Sequence, residues 1–323
     1  MLRFIANRVF FGLFVLLAAT VVIFFGISSI SDPLGELRSE PNISPESLQR
    51  LIDRKHLDEP LVVQYGYWVK DMVTEQFGSD LKFDRAIWPE LSRSLVNTVQ
   101  LVVFAELFAI FVAVIIGVLA GRFQYSVFDY GSTILSFVGY SIPIFWFALI
   151  LQIVAVNFYQ ATGIRAVYIS GLSSVDAPTG FMFFVDRIQH LILPILALSV
   201  TSIATYSRYL RASMLEVVNS DYVRTARAKG LNEPAVVLRH ALRNAALPLA
   251  TVVGVNLGTV FSGTIIIETI FSMPGMGLFF FNALSTRDVY SIMAWLMVTA
   301  TLALLFNLIT DIVYGLLDPR IRA

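Results

Sequence analysis

Hydrophobic and polar positions alternate along this chain in long blocks. A helix needs roughly 20 predominantly apolar residues to cross a bilayer, and six stretches reach that length. They are residues 9–30, 97–121, 130–156, 188–209, 245–270 and 289–317. The pattern predicts an all-α fold, a polytopic membrane helical bundle of six transmembrane helices, with a long loop after the first helix and a basic loop between the fourth and fifth.

The polar segments divide the chain into three parts. We expect an N-terminal transmembrane helix in residues 1–30, a loop region in residues 31–96 and a core of five transmembrane helices in residues 97–323. The first apolar block is longer than the roughly 7–15-residue core of a signal peptide. We therefore interpret it as a retained span.

Lysine and arginine near the ends of the spans indicate the orientation. Cytoplasmic loops of membrane proteins carry an excess of these residues. In a six-span chain the following all fall on one side: Arg3, Arg8, Arg122, Arg208, Arg211, Arg224, Arg227, Lys229, Arg239, Arg243, Arg320 and Arg322. We expect both termini to be cytoplasmic and the 31–96 loop to be extracytoplasmic.

Composition agrees with a membrane protein and narrows the chemistry. The chain is 57% hydrophobic and 14% charged, whereas soluble domains carry about 25% charged residues. With no cysteine, disulfides, thiolate metal sites and thiol catalysis are excluded. No phosphate-binding glycine loop is present, and His56, His190 and His240 are far apart in sequence. We expect no catalytic residue, no cofactor or metal on this chain, and no nucleic-acid partner.

The 31–96 loop contains a signal for a local helix. Ser44 can cap a helix whose first position is Pro45, with Glu46 favoured by the helix dipole. The apolar residues that follow recur at helical spacing and share one face: Leu48, Leu51 and Ile52. Such stripes usually pack inside the protein. We prefer that interpretation to a surface that meets a substrate-delivery protein.

The loop between the fourth and fifth spans predicts two short helices. Ser220 or Asp221 can cap the first, and Gly230 suits the left-handed position that ends it. Asn232 can cap a second helix that tolerates Pro234 in its first turn. A bend is expected at Gly230.

Two functions are compatible with this basic loop. One face of the first short helix would hold Tyr222, Ala226 and the Lys229 stem, flanked by Arg224 and Arg227, and the small Ala226 would permit a partner to approach. The loop could hold anionic lipid head groups. Alternatively, it could be a rigid coupling element inserted into a cleft of a cytoplasmic ATPase. The residues alone leave both open.

A family resemblance bears on that choice. Residues 221–230 read Asp-Tyr-Val-Arg-Thr-Ala-Arg-Ala-Lys-Gly, and residues 239–248 read Arg-His-Ala-Leu-Arg-Asn-Ala-Ala-Leu-Pro. Together they resemble the cytoplasmic signature of binding-protein-dependent ABC importer permeases, and more narrowly the dipeptide/oligopeptide/nickel group. The general signature begins Glu-Ala-Ala, whereas Arg224, Thr225 and Ala226 stand here. The Thr-Ala-Arg-Ala-Lys-Gly form is typical of the peptide group.

The resemblance extends over nearly the whole chain. Matching segments include 57–61, 77–79, 95–98, 140–143, 190–194, 268–272, 274–277 and 317–322. One departure follows the first span. The family usually has a Pro-Gly-Asp-Pro-like turn there, and this chain has Ser31, Asp32 and Pro33.

The resemblance implies a transporter subunit and its partners. Residues 97–323 would be the ABC transporter permease core, with the coupling loop at 220–244. The implied partners are a second homologous permease, two cytoplasmic ABC ATPases that bind ATP and Mg, an extracytoplasmic binding protein and a peptide, with nickel or another small solute as alternatives. The location would be the bacterial inner membrane. The implied ATPase-coupling residues are Asp221, Tyr222, Arg224, Thr225, Ala226, Arg227, Lys229, Gly230 and Leu231.

Polar residues within the spans are candidates for the translocation pathway. Ionisable residues inside a membrane commonly mark function, although interhelical hydrogen bonding is the alternative. The candidates are Glu106, Ser141, Pro143, Gln152, Asn256 and Glu268. A rival class is an ion-gradient-driven transporter with Glu106 as proton carrier. It predicts a pronounced inverted repeat, and no clear repeat is visible in the sequence.

Small residues and prolines predict local geometry in the spans. Residues 117–121 and 254–258 each form Gly-x-x-x-Gly, which permits close helix contact. Packing within the bundle is the favoured interpretation, and a seam with a second permease is the alternative. Pro143 and Pro194 should kink or interrupt their helices.

Overall fold

The computed structural model describes residues 2–33, 35, 44–81 and 83–317. The side chains of residues 2–4, 257–263 and 313–317 lie outside that description. The predicted contributions of the Arg3 side chain, Gly258, Arg320 and Arg322 therefore fall outside the described residues. Within the described part the secondary structure is helical apart from one bridge between Ser79 and Ala86. The all-α prediction is confirmed.

Helices follow one another along most of the described chain. In order they are α1 (Leu2–Ile30), α2 (Pro45–Lys55), α3 (Leu61–Thr74), α4 (Ile87–Arg122), α5 (Val127–Ser141), α6 (Ile144–Thr162), α7 (Phe181–Val218), α8 (Asp221–Ala228), α9 (Glu233–Ala235), α10 (Leu242–Ile270), α11 (Met276–Ser285) and α12 (Val289–Leu317). A π-helical turn, Val236–Ala241, joins α9 to α10.

Several helices are long and apolar enough to cross a membrane. Among the described residues five segments meet this condition: Ile5–Ile30, Ile87–Arg122, Ile144–Thr162, Phe181–Val218 and Val289–Ile312. Helix α10 occupies the fifth predicted span, but it includes 257–263, whose side chains are not described. A membrane helical bundle is confirmed, while the number six stays a prediction.

The third predicted span consists of two helices. Helix α5 ends at Ser141 and α6 begins at Ile144, with Pro143 as the residue that precedes α6. Proline disfavours helical backbone in the residue before it, so the helix ends there and restarts. Pro194 behaves differently, because α7 continues through it and buries it. The predicted interruption is thus confirmed at Pro143, whereas Pro194 does not interrupt its helix.

The fourth predicted span was too short. Helix α7 runs for 38 residues, or roughly 57 Å at 1.5 Å per residue, and extends past residues 188–209 at both ends. Its extensions carry polar residues such as Asp186 and Arg211. Hydropathy reports which part of a helix is apolar, and it does not report where the helix ends.

The chain forms two compact units. The first comprises Met1–Asn97 and Pro274–Leu308. Within it, Ser44 caps α2 as predicted, because its side chain accepts a hydrogen bond from the amide of Ser47. Ile52 is buried, and Leu48 and Leu51 pack against the same cluster. The packing interpretation of this apolar face is confirmed.

Lys55, at the end of α2, is a buried cation in the first unit. Its Nζ donates to the carbonyl oxygen of Ser79 at 2.7 Å and to the Ser79 hydroxyl at 3.0 Å. The same nitrogen lies 4.5 Å from the centroid of the Tyr290 ring. Burial lowers the pKa of Lys55, and the nearby carboxylate of Asp71 opposes that shift. The lysine ties α2 to Ser79, which forms the bridge with Ala86.

The second unit comprises Thr98–Met273 and Ile309–Ala323. In it α5 runs antiparallel to α7, because Asp129 at the start of α5 pairs with Arg211 late in α7. Further along α5, the hydroxyls of Ser136 and Ser207 are 3.1 Å apart. Helix α6 also lies against α7, because Ala148 of α6 packs in a cluster that includes Leu191 and Leu198 of α7.

Close helix packing explains the described glycines of the two Gly-x-x-x-Gly segments. A Cβ at Gly117 would lie 2.8 Å from Leu210, and one at Gly121 would lie 2.6 Å from Met214. A Cβ at Gly254 would clash with the side chain of Thr310. These neighbours belong to the same unit of the same chain. The interpretation as packing within the bundle is therefore confirmed for these three glycines.

Candidate functional site

The loop between α7 and α10 folds into a compact helical turn, here called the coupling turn (residues 220–244). Helix α8 begins after Ser220, although the Ser220 hydroxyl donates to the carbonyl of Val217 instead of capping α8. Asn232 caps α9 as predicted, because its Oδ1 accepts from the amide of Ala235 at 3.0 Å. Gly230 has φ +77°, the left-handed conformation that favours glycine. The predicted bend is present.

The inner face of the coupling turn is part of the protein's own core. Val223 is fully buried, Ala226 is 5% exposed, and both pack in a cluster that includes Met214 of α7 and Val236 of the π-helical turn. The structure corrects one detail of the sequence-based hypothesis. Ala226 lies against helices of this chain, where its small side chain permits close packing, and is not available for a partner's approach.

The outer face of the coupling turn is exposed. Tyr222 is 44% and Leu231 is 42% exposed. The other predicted coupling residues with exposed side chains or backbone are Asp221, Arg224, Thr225, Arg227, Lys229 and Gly230. Two apolar groups surrounded by charge are thus presented outward on a turn whose inner face is buried. Of the nine predicted coupling residues, the structure gathers all but Ala226 on or beside this outer surface.

An ion pair links the two short helices of the coupling turn. Arg227 of α8 donates to both carboxylate oxygens of Glu233 in α9, with Nη2 to Oε1 at 3.0 Å and Nε to Oε2 at 3.3 Å. The hydrogen bond from Arg227 holds the pKa of Glu233 below its ordinary value. Because the pair bridges the bend at Gly230, it restrains the angle between the two helices.

A second polar site lies in the interior of the second unit. Glu106 of α4 accepts a hydrogen bond from Ser202 at 3.0 Å and one from Tyr206 at 2.8 Å, both from α7. Asn256 of α10 donates to Ser202 at 3.1 Å and to Tyr206 at 2.9 Å. These four residues, here called the Glu106 cluster, join three helices. Glu106 itself is 5% exposed.

The Glu106 cluster contains two residues that the sequence analysis missed. Ser202 and Tyr206 are four apart on α7 and therefore lie on one face of the helix. That spacing of two hydroxyls within an apolar span was a usable signal. Glu106 and Asn256, which the sequence analysis did select, are brought together only because α7 lies between them.

The other predicted pathway residues occupy separate places. Gln152 donates to the carbonyls of Ile169 at 2.9 Å and Ile270 at 3.1 Å. Glu268 is buried and accepts a hydrogen bond from Thr98. Gln152 and Glu268 therefore make contacts that hold helices and loops together.

Ser141 and Pro143 mark the break between α5 and α6. Ser141 is exposed, and its hydroxyl donates to the carbonyl of Phe137 at 2.8 Å. Pro143 immediately precedes α6. The structure does not join these two residues to the Glu106 cluster. The six candidates thus fall into three groups: one interior cluster, one pair of tethering contacts and one helix break.

Fold and site together define an integral membrane protein of packed helices with an exposed, rigidly seated turn. The model of the family "Binding-protein-dependent transport system inner membrane component" matches residues 113–323, and the model of the N-terminal part of such components matches residues 1–112. The chain belongs to this family of transport-system components. It is therefore a multi-pass protein of the inner membrane.

Curated relatives align over the full length of the chain. The di/tripeptide transport system permease protein DppB of Pseudomonas aeruginosa is 38% identical, covering 100% of this chain and 99% of that protein. The dipeptide transport system permease protein DppB of Escherichia coli (strain K12) is 36% identical, with coverage of 100% and 99%. The oligopeptide transport system permease protein AppB of Bacillus subtilis is 37% identical, with coverage of 100% of each chain.

Proposed function

We propose that this chain is a transmembrane permease subunit of an ATP-driven ABC importer that takes up di- or oligopeptides. The family description supports a component of a binding-protein-dependent system. The names of the full-length relatives support peptides as the substrate class. The same names favour peptides over nickel or another small solute as the substrate.

The proposed complex divides the work among several chains. An extracytoplasmic binding protein delivers the peptide, and a second homologous permease completes the pathway. Two cytoplasmic ATPases bind ATP and Mg and perform the hydrolysis, so this chain acts as a transporter subunit and not as an enzyme. We place both termini in the cytoplasm on the basis of the positive-inside pattern. In this arrangement residues 31–96 are extracytoplasmic, and residues 97–323 are the permease core.

One observation carries the proposal: the coupling turn is buried on one side and open on the other. Val223 and Ala226 are packed against the end of α7, so a force applied to α8 is transmitted to α7 by contact between closely packed groups. On the other side Tyr222 and Leu231 are exposed. A loop that only neutralised lipid head groups would need its charges and would not need this rigid inner face.

Coupling requires that each ATPase state bind the permease conformations with different affinities. We propose that the outer surface of the coupling turn is the element that the ATPases contact. Movement there would reach α7 and, through the π-helical turn Val236–Ala241, α10. These are the helices that contribute Ser202, Tyr206 and Asn256 to the Glu106 cluster.

Outer-face substitutions test this assignment without disturbing the core. We expect Leu231→Asp and Tyr222→Ala to weaken co-purification of the two ATPases and to reduce ATP-driven peptide uptake. The second permease should still co-purify. Lys70→Glu serves as the control, because Lys70 is an exposed cation of α3 outside the coupling turn. Gly230→Pro, which cannot adopt the positive φ of this position, should have a stronger effect than either.

The rival functions predict different results. If Leu231→Asp, Tyr222→Ala and Gly230→Pro all retain full ATPase binding and uptake, the coupling assignment fails and lipid anchoring becomes the better explanation. An ion-gradient-driven transporter would take up peptide without any ATPase. The arrangement of Glu106 does not favour that class, because both of its carboxylate oxygens already accept hydrogen bonds from α7.

A further inference from the structure

Helix α7 carries an arginine whose environment differs from that of its neighbours. Arg211 pairs with Asp129, and Arg187 donates to Gln100 at 2.8 Å. Arg208 instead uses its Nε to donate to the carbonyl of Ala204, four residues earlier in its own helix, at 3.0 Å. Within the described part of the chain Arg208 takes part in no ion pair.

Two aromatic rings of α5 hold the guanidinium of Arg208. Its Cζ lies 5.1 Å from the centroid of Phe137 and 4.9 Å from that of Tyr140. Cations are attracted to the faces of aromatic rings at such distances. The rings are themselves 56% and 57% exposed, so this arrangement lies at an open face of the unit.

The aromatic contacts leave the hydrogen-bonding edge of Arg208 unused. A guanidinium has five N–H donors in a planar fork. Nε accounts for one, and among the described residues no acceptor bonds to the terminal nitrogens. Two parallel N–H groups of this fork match the two oxygens of a carboxylate. The site therefore has a fixed cation with donors available for a carboxylate.

The direction of the Arg208 side chain argues against a lipid head group as the ligand. The hydrogen bond to Ala204 draws it back along α7, away from the C-terminal end of that helix. Phe137 and Tyr140 lie beyond Asp129 in the same direction, because α5 and α7 are antiparallel. An arginine that binds lipid head groups extends its side chain toward the membrane interface. In the topology proposed above, Arg208 extends away from the nearer interface.

Polar side chains accompany Arg208 on both helices. Thr205 and Thr201 precede it by three and seven residues and therefore share its side of α7. On α5, Ser141 follows Tyr140 and is exposed. An ionisable residue within a membrane span normally faces a cavity or a partner. A carboxylate site at Arg208 requires that this face be hydrated, and the labelling experiment below tests that requirement.

We infer that Arg208, held between Phe137 and Tyr140, binds the C-terminal carboxylate of the transported peptide. This inference rests on the proposed function. The carboxylate would accept two hydrogen bonds from the terminal nitrogens of Arg208, while the rings hold the guanidinium plane. Every unmodified peptide carries this group whatever its side chains, so one such site serves substrates of varied sequence.

The absence of cysteine from the chain makes a direct test practical. We would introduce Thr205→Cys, a similar-sized substitution one turn before Arg208, in the assembled complex in lipid nanodiscs. The rates of reaction with 2-sulfonatoethyl and 2-(trimethylammonio)ethyl methanethiosulfonate would then be compared. The wild-type complex, labelled in parallel, measures the reaction of partner cysteines.

The expected result is a preference for the anionic reagent. We expect it to react roughly tenfold faster than the cationic one at residue 205, the size of effect that one unit charge produces several ångströms away in a partly hydrated site. Arg208→Gln should abolish the preference, and Arg208→Lys, which keeps the charge, should retain most of it. Thr162→Cys, at the exposed C-terminal end of α6, should show no preference that depends on Arg208.

The second measurement is the protection of residue 205 from labelling by bound peptide. A peptide with a free C-terminus should slow labelling at residue 205, and the same peptide as its C-terminal amide should not. Equal protection by both, or a reagent preference that survives Arg208→Gln, would overturn the inference. If neither hydrophilic reagent reaches residue 205, this face is lipid-covered and the inference also fails.

The failure of this inference can be told apart from the failure of the proposed function. ATP-driven uptake of the free-acid peptide by the wild-type complex tests the proposed function by itself. If uptake occurs but Arg208 has no effect on reagent preference, only the carboxylate site is wrong. If the wild-type complex transports no peptide, the proposed function is wrong whatever the labelling shows.

Discussion

The coupling turn and the Glu106 cluster each contain a hydrogen-bonded glutamate, one at the surface and one in the interior. In the coupling turn, Arg227 and Glu233 are each 37% exposed and form an ion pair. In the cluster, Glu106 is 5% exposed and its bonds come from the neutral side chains of Ser202 and Tyr206. Water can replace a lost contact at the surface turn more readily than it can in the interior.

This difference shows how burial determines the energetic cost of a polar residue in a membrane protein. A buried polar group costs free energy unless a hydrogen bond replaces its contact with water. The Glu106 cluster meets that requirement across three helices, so each member depends on the others. The exposed residues of the coupling turn depend less on one another for their hydrogen bonds than the members of the Glu106 cluster do. The following substitutions test that contrast, from the largest expected effect to the smallest.

Glu106→Ala should have the largest effect. It removes both acceptors of Ser202 and Tyr206 and leaves a cavity, at a cost of about 3 kcal/mol in the free energy of unfolding. Thermal unfolding in detergent would measure this. Glu216→Ala removes an exposed carboxylate of α7 and should change the stability by less than about 0.5 kcal/mol. Equal melting temperatures for the two variants would contradict the interior role.

Gly121→Ala should destabilise the second unit. The added Cβ would lie 2.6 Å from Met214, and overpacking of this kind costs about 1–3 kcal/mol. Gly131→Ala is the matched control in α5, because nothing lies within 4 Å of a Cβ there. Alanine is the better helix former by about 0.5–1 kcal/mol, so this control should not lower the melting temperature. Shifts of the same sign and size would refute close packing at 121.

Gly230→Ala should have a moderate effect on stability and a specific effect on coupling. Alanine at φ +77° is strained by about 1 kcal/mol. Gly163 has φ +71° and is equally open, so Gly163→Ala should carry a similar strain. We expect both variants to lose similar stability, and only Gly230→Ala to bind the ATPases less tightly. If Gly163→Ala impairs ATPase binding as much, the bend at 230 is not the cause.

Glu233→Gln should have the smallest effect. The ion pair with Arg227 is partly exposed and should contribute about 0.2–1 kcal/mol, less at high salt. Because the pair lowers the pKa of Glu233 in the folded protein, its contribution is present above the ordinary glutamate pKa of about 4.3 and is lost as the pH falls through the lower folded value. Wild type and Glu233→Gln should therefore differ in melting temperature at pH 7, and the difference should shrink as the pH falls below the ordinary glutamate pKa. A constant difference would exclude this linkage.

Local signals in the sequence were sufficient to predict several parts of the structure. The cap at Ser44, the bend at Gly230 and the break at Pro143 each depend on the conformations that one or two residues can adopt. The apolar blocks located the long helices for the same kind of reason, because a helix can hide its own backbone from lipid. The ends of α7 were placed wrongly, since hydropathy marks the apolar part of a helix only.

By itself, then, the sequence determined the all-α membrane class, the family and the course of the backbone at the coupling turn. Only the tertiary structure decided which side chains meet. Ala226 lies inward because α7 and the π-helical turn cover it, and Ser202 and Tyr206 became partners of Glu106 because α7 passes between α4 and α10. Arg208 stands apart from Arg211 for a similar reason, since the residue of α5 opposite each is set by how the two helices pack. Such pairings join positions up to 100 residues apart, and no local rule of conformation specifies them.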